Sequence, residues 1–279
     1  MRLRPDLFLK EFLLFGATMV LGLLAAFRYE ALTSGAPIIQ VPSLSFADVI
    51  WLAILITLIA AAARFGRIAR MVFWVFLTLI VISGSQIVLS IFLPLPWDVI
   101  AALAVAAVFF LWRIVLIHDA AMVLALAGMG AVIGISITPS VGIIALVVLS
   151  FYDIIAVYKT KHMVRMARSM IQTGAIFGFI IPKDFKSFLA PRRAAQEEHD
   201  EGRFMILGSG DIGLPLIFAS SLMRESVPEA IIVGIFALAG AALTHLLFVN
   251  QEKRQAMAAL PPIATMCLVG YLISLLIFT

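Results

Sequence analysis

The stretch "ILGSGDIGLPLIF", Ile206 to Phe218, sets one aspartate, Asp211, in an otherwise apolar segment and flanks it with Gly208, Gly210 and Gly213. An ionised side chain inside a bilayer costs about 3 kcal/mol on insertion scales, so a carboxylate kept there should face protein or a water-filled cavity. The chain around it has 279 residues, 63% hydrophobic and only 13% charged, with a mean hydropathy of +1.12. That leaves too few polar side chains to cover a soluble globule, and the class is an all-α polytopic membrane protein.

Nine apolar runs are long enough for transmembrane helices, near 8 to 29, 46 to 63, 71 to 93, 97 to 112, 118 to 137, 141 to 158, 204 to 223, 228 to 249 and 258 to 278. The first run is too long for a cleavable leader and reads as a retained anchor. With the N-terminus in the cytoplasm, eighteen of the twenty Lys and Arg residues fall on that side, leaving only Arg28 and Arg224 opposite. The positive-inside rule therefore predicts a cytoplasmic N-terminus and, after nine spans, an outside C-terminus. The same distribution explains the net charge of +4 without a nucleic-acid partner. Three regions follow: a six-helix part over 1–158, a cytoplasmic loop over 159–203 and a three-helix part over 204–279. Within the loop, "IQTGAIFGFII" is too short to cross and reads as an interfacial or re-entrant segment, with the charged "PRRAAQEEHDEGR" mobile behind it. An equal alternative is a solvated linker carrying one apolar helix.

The single Cys267 excludes an internal disulfide, and His118, His162, His199 and His245 lack metal-ligand spacing. Asp48, Asp98 and Asp119 lie at helix starts, within reach of water or an interface, and Glu11 adjoins Lys10. Asp153 and Asp211 are different. Asp153 precedes the cytoplasmic Lys159 by six residues and Asp211 follows the cytoplasmic Arg203 by eight, about 9 and 12 Å in from the same face on helical rise. Two carboxyls meeting at one depth share a proton: one activates water while the other donates to a carbonyl oxygen, with no metal or organic cofactor. Gly208 and Gly210 would let another backbone approach, and Gly213 and Pro215 would loosen the helix behind the aspartate.

At these residues the sequence resembles the GxGD family of intramembrane aspartyl proteases, presenilin and signal peptide peptidase. Tyr152 and Asp153 form its "YD" element and Gly208, Ser209, Gly210 and Asp211 its "GxGD" element. Ala259, Leu260 and Pro261 match its third element, with Ala258 where the family has proline. The resemblance implies that Asp153 and Asp211 are the catalytic pair and that Tyr152 and Ala259 to Pro261 shape the substrate cleft. It implies single-pass transmembrane helices as substrates, cleaved within a microbial cell membrane, with the pair nearer the cytoplasmic face. The orientation is that of presenilin rather than signal peptide peptidase. The small size looks like that of an archaeal homologue working without accessory subunits, and a homo-oligomer is compatible with it. Since presenilins cut their own sixth loop, the apolar loop piece here is expected to act as a lid.

Two other readings stay open. A type IV prepilin or preflagellin peptidase also uses a GxGD aspartate, but usually places a charged residue two positions later, where this chain has Gly213. A proton or cation transporter or channel could use the same two carboxylates, although no inverted repeat is visible. No His-Glu-x-x-His or Gly-x-Ser-Gly pattern supports a metallo- or serine protease. His245 reads as a packing or interfacial histidine.

Overall fold

The computed structural model describes residues 5–33, 66–160, 174, 176–197, 204–251 and 257–278. The expected second span, 46 to 63, lies outside them. Helices α1 (Pro5–Thr33), α2 (Gly66–Leu89), α3 (Trp97–Leu111), α4 (Val115–Ser136) and α5 (Pro139–Ile154) lead to a π-helical turn, Ile155–Lys159. Strand β1 (Gly178–Pro182), a short 3-10 turn and helix α6 (Arg192–Glu197) follow. Strand β2 (Phe204–Gly208) then runs into α7 (Ser209–Ser221), and α8 (Val227–Val249) and α9 (Leu260–Phe278) complete the described chain.

Among the described residues, six helical stretches are long and apolar enough to cross a membrane: Pro5–Ala31, Met71–Leu89, Val115–Ser136, Pro139–Lys159, Val227–Val249 and Leu260–Phe278. They correspond to the first, third, fifth, sixth, eighth and ninth expected spans. The fourth, α3, has 15 residues, short of the roughly 20 that a full crossing needs. The seventh is not one helix. Phe204–Gly208 is a strand and the helix begins only at Ser209. A five-residue run of Phe, Met, Ile and Leu ending in glycine serves a buried strand as readily as a helix, and hydropathy cannot separate the two.

Its partner is the loop segment expected at the interface. β1 and β2 pair antiparallel, from Gly178 opposite Gly208 to Pro182 opposite Phe204. All five β1 residues are buried, with Phe179 and Ile181 in the main core. The C-terminal part of that segment, from Gly178, is therefore a core strand, in keeping with its aromatic and β-branched side chains, and its start lies outside the described residues. Of the following "PRR", Arg192 is embedded at 5% exposure, while Pro191 and Arg193 on either side of it are exposed.

α4 is the central post: 56% of its span is buried, against 28–39% in the other five. It packs on α1, α2 and α7. Its approach to α2 depends on two glycines, since a Cβ at Gly128 would land on the Gly84 carbonyl oxygen and one at Gly84 on that of Ala125. Such backbone-to-backbone contact is how membrane helices gain packing without a hydrophobic driving force. Prolines start the later helices: Pro139 opens α5, and Pro228 follows the cap of α8, where the Ser226 hydroxyl accepts from the Glu229 N–H at 3.4 Å.

Candidate active site

Three elements converge on the two aspartates. α5 packs on α7, and α9 packs on both. Asp153 lies in the last turn of α5, 5% exposed, immediately before the π turn. Turns of that kind are rare and concentrate at functional sites, and nothing in the sequence announces this one. Asp211 occupies the first turn of α7, 8% exposed, where the helix dipole favours a negative charge. The two carboxyls are within electrostatic reach of one another.

Each motif element has a definable local role. Gly208 is the N-cap of α7, and its backbone N–H is directed at the Asp211 carboxyl, as a third helical residue reaches back in a capping box. A Cβ on Gly208 would come 3.1 Å from Asp211 Oδ2. The Ser209 N–H donates to the Phe177 carbonyl at 3.4 Å, tying the helix start to the chain entering β1. Among the described residues, nothing lies within 4 Å of a Cβ added at Gly210 or Gly213. Nor does Gly213 interrupt α7, although Pro215 cannot donate to the carbonyl of Asp211, four residues back.

The third element reaches the first aspartate directly. Leu260 is the first residue of α9, and its N–H donates to Asp153 Oδ2 at 3.4 Å. Pro261 and Pro262 have no N–H, so Leu260 carries the leading amide donor of a helix start whose partial positive charge points at a carboxylate. The preceding Ala259 carbonyl accepts from Thr244 Oγ1 at 3.4 Å, and the Pro261 carbonyl from Thr265 Oγ1 at 2.9 Å. Ala258 is buried just before the helix. Tyr152 is 55% exposed.

Four ionisable side chains sit deeper than their sequence positions suggest. Asp119, expected within reach of water, is fully buried and binds β1; Asp98 is 4% exposed. For Asp119 the reason is the loop, which folds back over the start of α4 and covers it. Lys10 and Glu11 are 2% and 4% exposed. Glu11 Oε2 lies 2.7 Å from Nδ1 of His245, with the Phe8 ring 5.2 Å from the imidazole. Glu11 is also within electrostatic reach of Asp211. A lone acidic residue beside a lysine near a helix end gives no sequence signal of such a partner 234 positions away.

Residues 35–279 match the family model described as signal-peptide peptidase, presenilin aspartyl protease. No curated protein sequence matches the chain. Among solved structures, the chain resembles a presenilin family intramembrane aspartate protease in a C222 crystal form, at 21% identity and TM-score 0.57 over 95% of each chain. A P2 form of a protein with the same description matches at 24% identity and TM-score 0.58, over 94% of this chain and 96% of that one. These likenesses carry the fold, and the family match carries the chemistry: the chain belongs to the signal-peptide peptidase and presenilin family and is an intramembrane aspartyl protease.

Proposed function

We propose that Asp153 and Asp211 are the catalytic pair and hydrolyse a peptide bond of a membrane-spanning substrate helix. The observation that supports this reading is the convergence of α5, α7 and the start of α9, which sets two buried carboxyls within electrostatic reach and aims the Leu260 N–H at one of them. Such a pair shares one proton. The ionised member takes a proton from water, whose oxygen attacks the peptide carbonyl carbon, while the protonated member donates to the carbonyl oxygen. As the tetrahedral species collapses, the C–N bond breaks and the amide nitrogen takes up a proton. Water is the only co-reactant this scheme needs.

A substrate helix satisfies its own backbone groups and must unwind before a carbonyl is exposed. The open space beside Gly210 and Gly213 gives an extended segment room next to Asp211. The edge of β2 turned away from β1 leads into that same turn and offers backbone groups for the segment to pair with. The distribution of cations favours a cytoplasmic N-terminus, with the pair nearer that face of a cell membrane.

Reconstitution with a tagged single-pass helix tests the reading. Peptide products should form with the native protein and vanish with Asp153→Asn and with Asp211→Asn, both of which keep the native unfolding temperature to within a few degrees. Cleavage by either variant, or cation flux without products, would sink it.

A further inference from the structure

We propose that Lys10, His118 and Asp119 are positioning residues for Asp211: they bond the outward edge of β1 at Gly178, Ile180 and Pro182 and so fix the sheet that delivers the catalytic turn. The proposal rests on the reading of Asp211 as catalytic.

A two-stranded sheet is marginal alone, and a strand edge inside a membrane protein cannot fall back on water. The backbone groups of β1 on the side away from β2 belong to Gly178, Ile180 and Pro182, and each of these residues meets a side chain. His118 Nε2 lies 3.0 Å from the Gly178 carbonyl oxygen. The Ile180 N–H donates to Asp119 Oδ1 at 2.8 Å. Lys10 Nζ donates to the Pro182 carbonyl at 2.8 Å and to that of Lys183 at 2.6 Å. Two helices, α4 and α1, thereby act together as a third strand made of side chains.

The histidine is itself held. A carbonyl facing Nε2 requires the proton there, leaving Nδ1 as acceptor for Arg192 Nη1 at 3.4 Å. Arg192 is locked in turn: Nη2 donates to the Phe109 carbonyl at 3.0 Å, its backbone N–H donates to the Arg113 carbonyl at 2.7 Å, and its guanidinium lies 4.3 Å from the Phe109 ring centroid. Burial and the neighbouring Arg113 lower it to about 10, so it is still a cation at neutral pH. On the other side, β1 bonds through Phe177 to Ser209 and through its register to Gly208, the residues that open the turn bearing Asp211. The path from α4 to that carboxyl is therefore a short series of backbone bonds.

The test compares Asp119→Leu, which removes the acceptor, with Asp119→Asn, which keeps a carbonyl oxygen for the Ile180 N–H. Full-length protein in lipid nanodiscs is assayed for kcat and KM on a tagged single-pass helix, and for amide hydrogen exchange over 176–182 and 204–209. Asp119→Leu should exchange about ten-fold faster in both strands and lose about ten-fold in kcat, with KM within about two-fold. Asp119→Asn should restore both. Lys10→Met, at the far end of the strand, should reproduce the faster exchange at Ile181 and in β2 and lower kcat; it decides the matter if Asp119→Leu does not fold. Unchanged exchange, an unchanged kcat despite faster exchange, or an Asn variant as impaired as Leu would each overturn the proposal. Exchange does not depend on what Asp211 does, so cleavage by Asp211→Asn would refute the catalytic assignment separately.

Discussion

Removing His245 should unsettle the protein more than a lone membrane histidine ordinarily would. His245→Leu takes away the imidazole 2.7 Å from Glu11 Oε2, leaving a carboxylate that is 4% exposed with an apolar side chain in front of it. Breaking a buried pair from one side costs about 3–5 kcal/mol. The lower end applies here, because the partner lost is an imidazole hydrogen bond and not a Lys or Arg side chain. At about 2–4 °C per kcal/mol for a chain approaching this size, the unfolding temperature should drop by roughly 6–12 °C. Glu11→Leu should cost a comparable amount, since among the described residues His245 Nε2 has no hydrogen-bond partner and the ring would then have none at either nitrogen. The double variant Glu11→Leu/His245→Leu decides the issue: an apolar pair of similar volume often matches a buried ion pair in stability, so its loss should be smaller than that of either single change. Thermal unfolding in detergent, followed by tryptophan fluorescence, gives all corners of the cycle. Single losses that simply add, to within about 0.5 kcal/mol, would refute the pairing as the source of the effect.

Leu260→Pro deletes the N–H directed at Asp153 at a helical position that accepts proline, and should lower kcat about five-fold, whereas Leu260→Ala, which keeps the N–H, should lose less; equal rates would show that the 3.4 Å bond contributes nothing to turnover. Gly128→Ala forces a methyl onto the Gly84 carbonyl and should cost about 1–3 kcal/mol, read as a lower unfolding temperature, while Gly213→Ala, facing open space, should leave it unmoved. Activity against pH should trace a bell with two limbs, as two carboxyls sharing a proton require; a single sigmoid in kcat/KM would contradict the pair.

Hydropathy was a good guide where a helix crosses alone and a poor one where the chain is short and enclosed. The first, third, fifth, sixth, eighth and ninth expected spans appear as helices because each buries an apolar surface long enough to fix its own period. Phe204 to Gly208 carries the same kind of residues, yet it pairs with Gly178 to Pro182, and a pairing between segments some 25 positions apart leaves no periodic trace in either. Lys10, Glu11, Asp98 and Asp119 lie deeper than their positions suggest for a related reason. Each stands near a helix end, where solvent is the ordinary surrounding, and only the fold reveals that the loop and neighbouring helices have closed over them.

The candidate pair stands out in the sequence, but the depth of Asp211 does not. Equal depth was reckoned by helical rise, but the approach to Asp211 runs through a strand, which advances more than twice as far per residue. What survives is the cost argument: carboxyls kept within apolar segments must find partners, and the cheapest partner for one is a proton shared with the other. That constraint acts on the residues whatever backbone carries them, so it nominates Asp153 and Asp211 as the candidate pair independently of the secondary structure around them. It also accounts for the glycines differently. Gly210 and Gly213 meet nothing within 4 Å among the described residues, and on the proposed reading a site that admits an unwound peptide needs room of that kind beside Asp211.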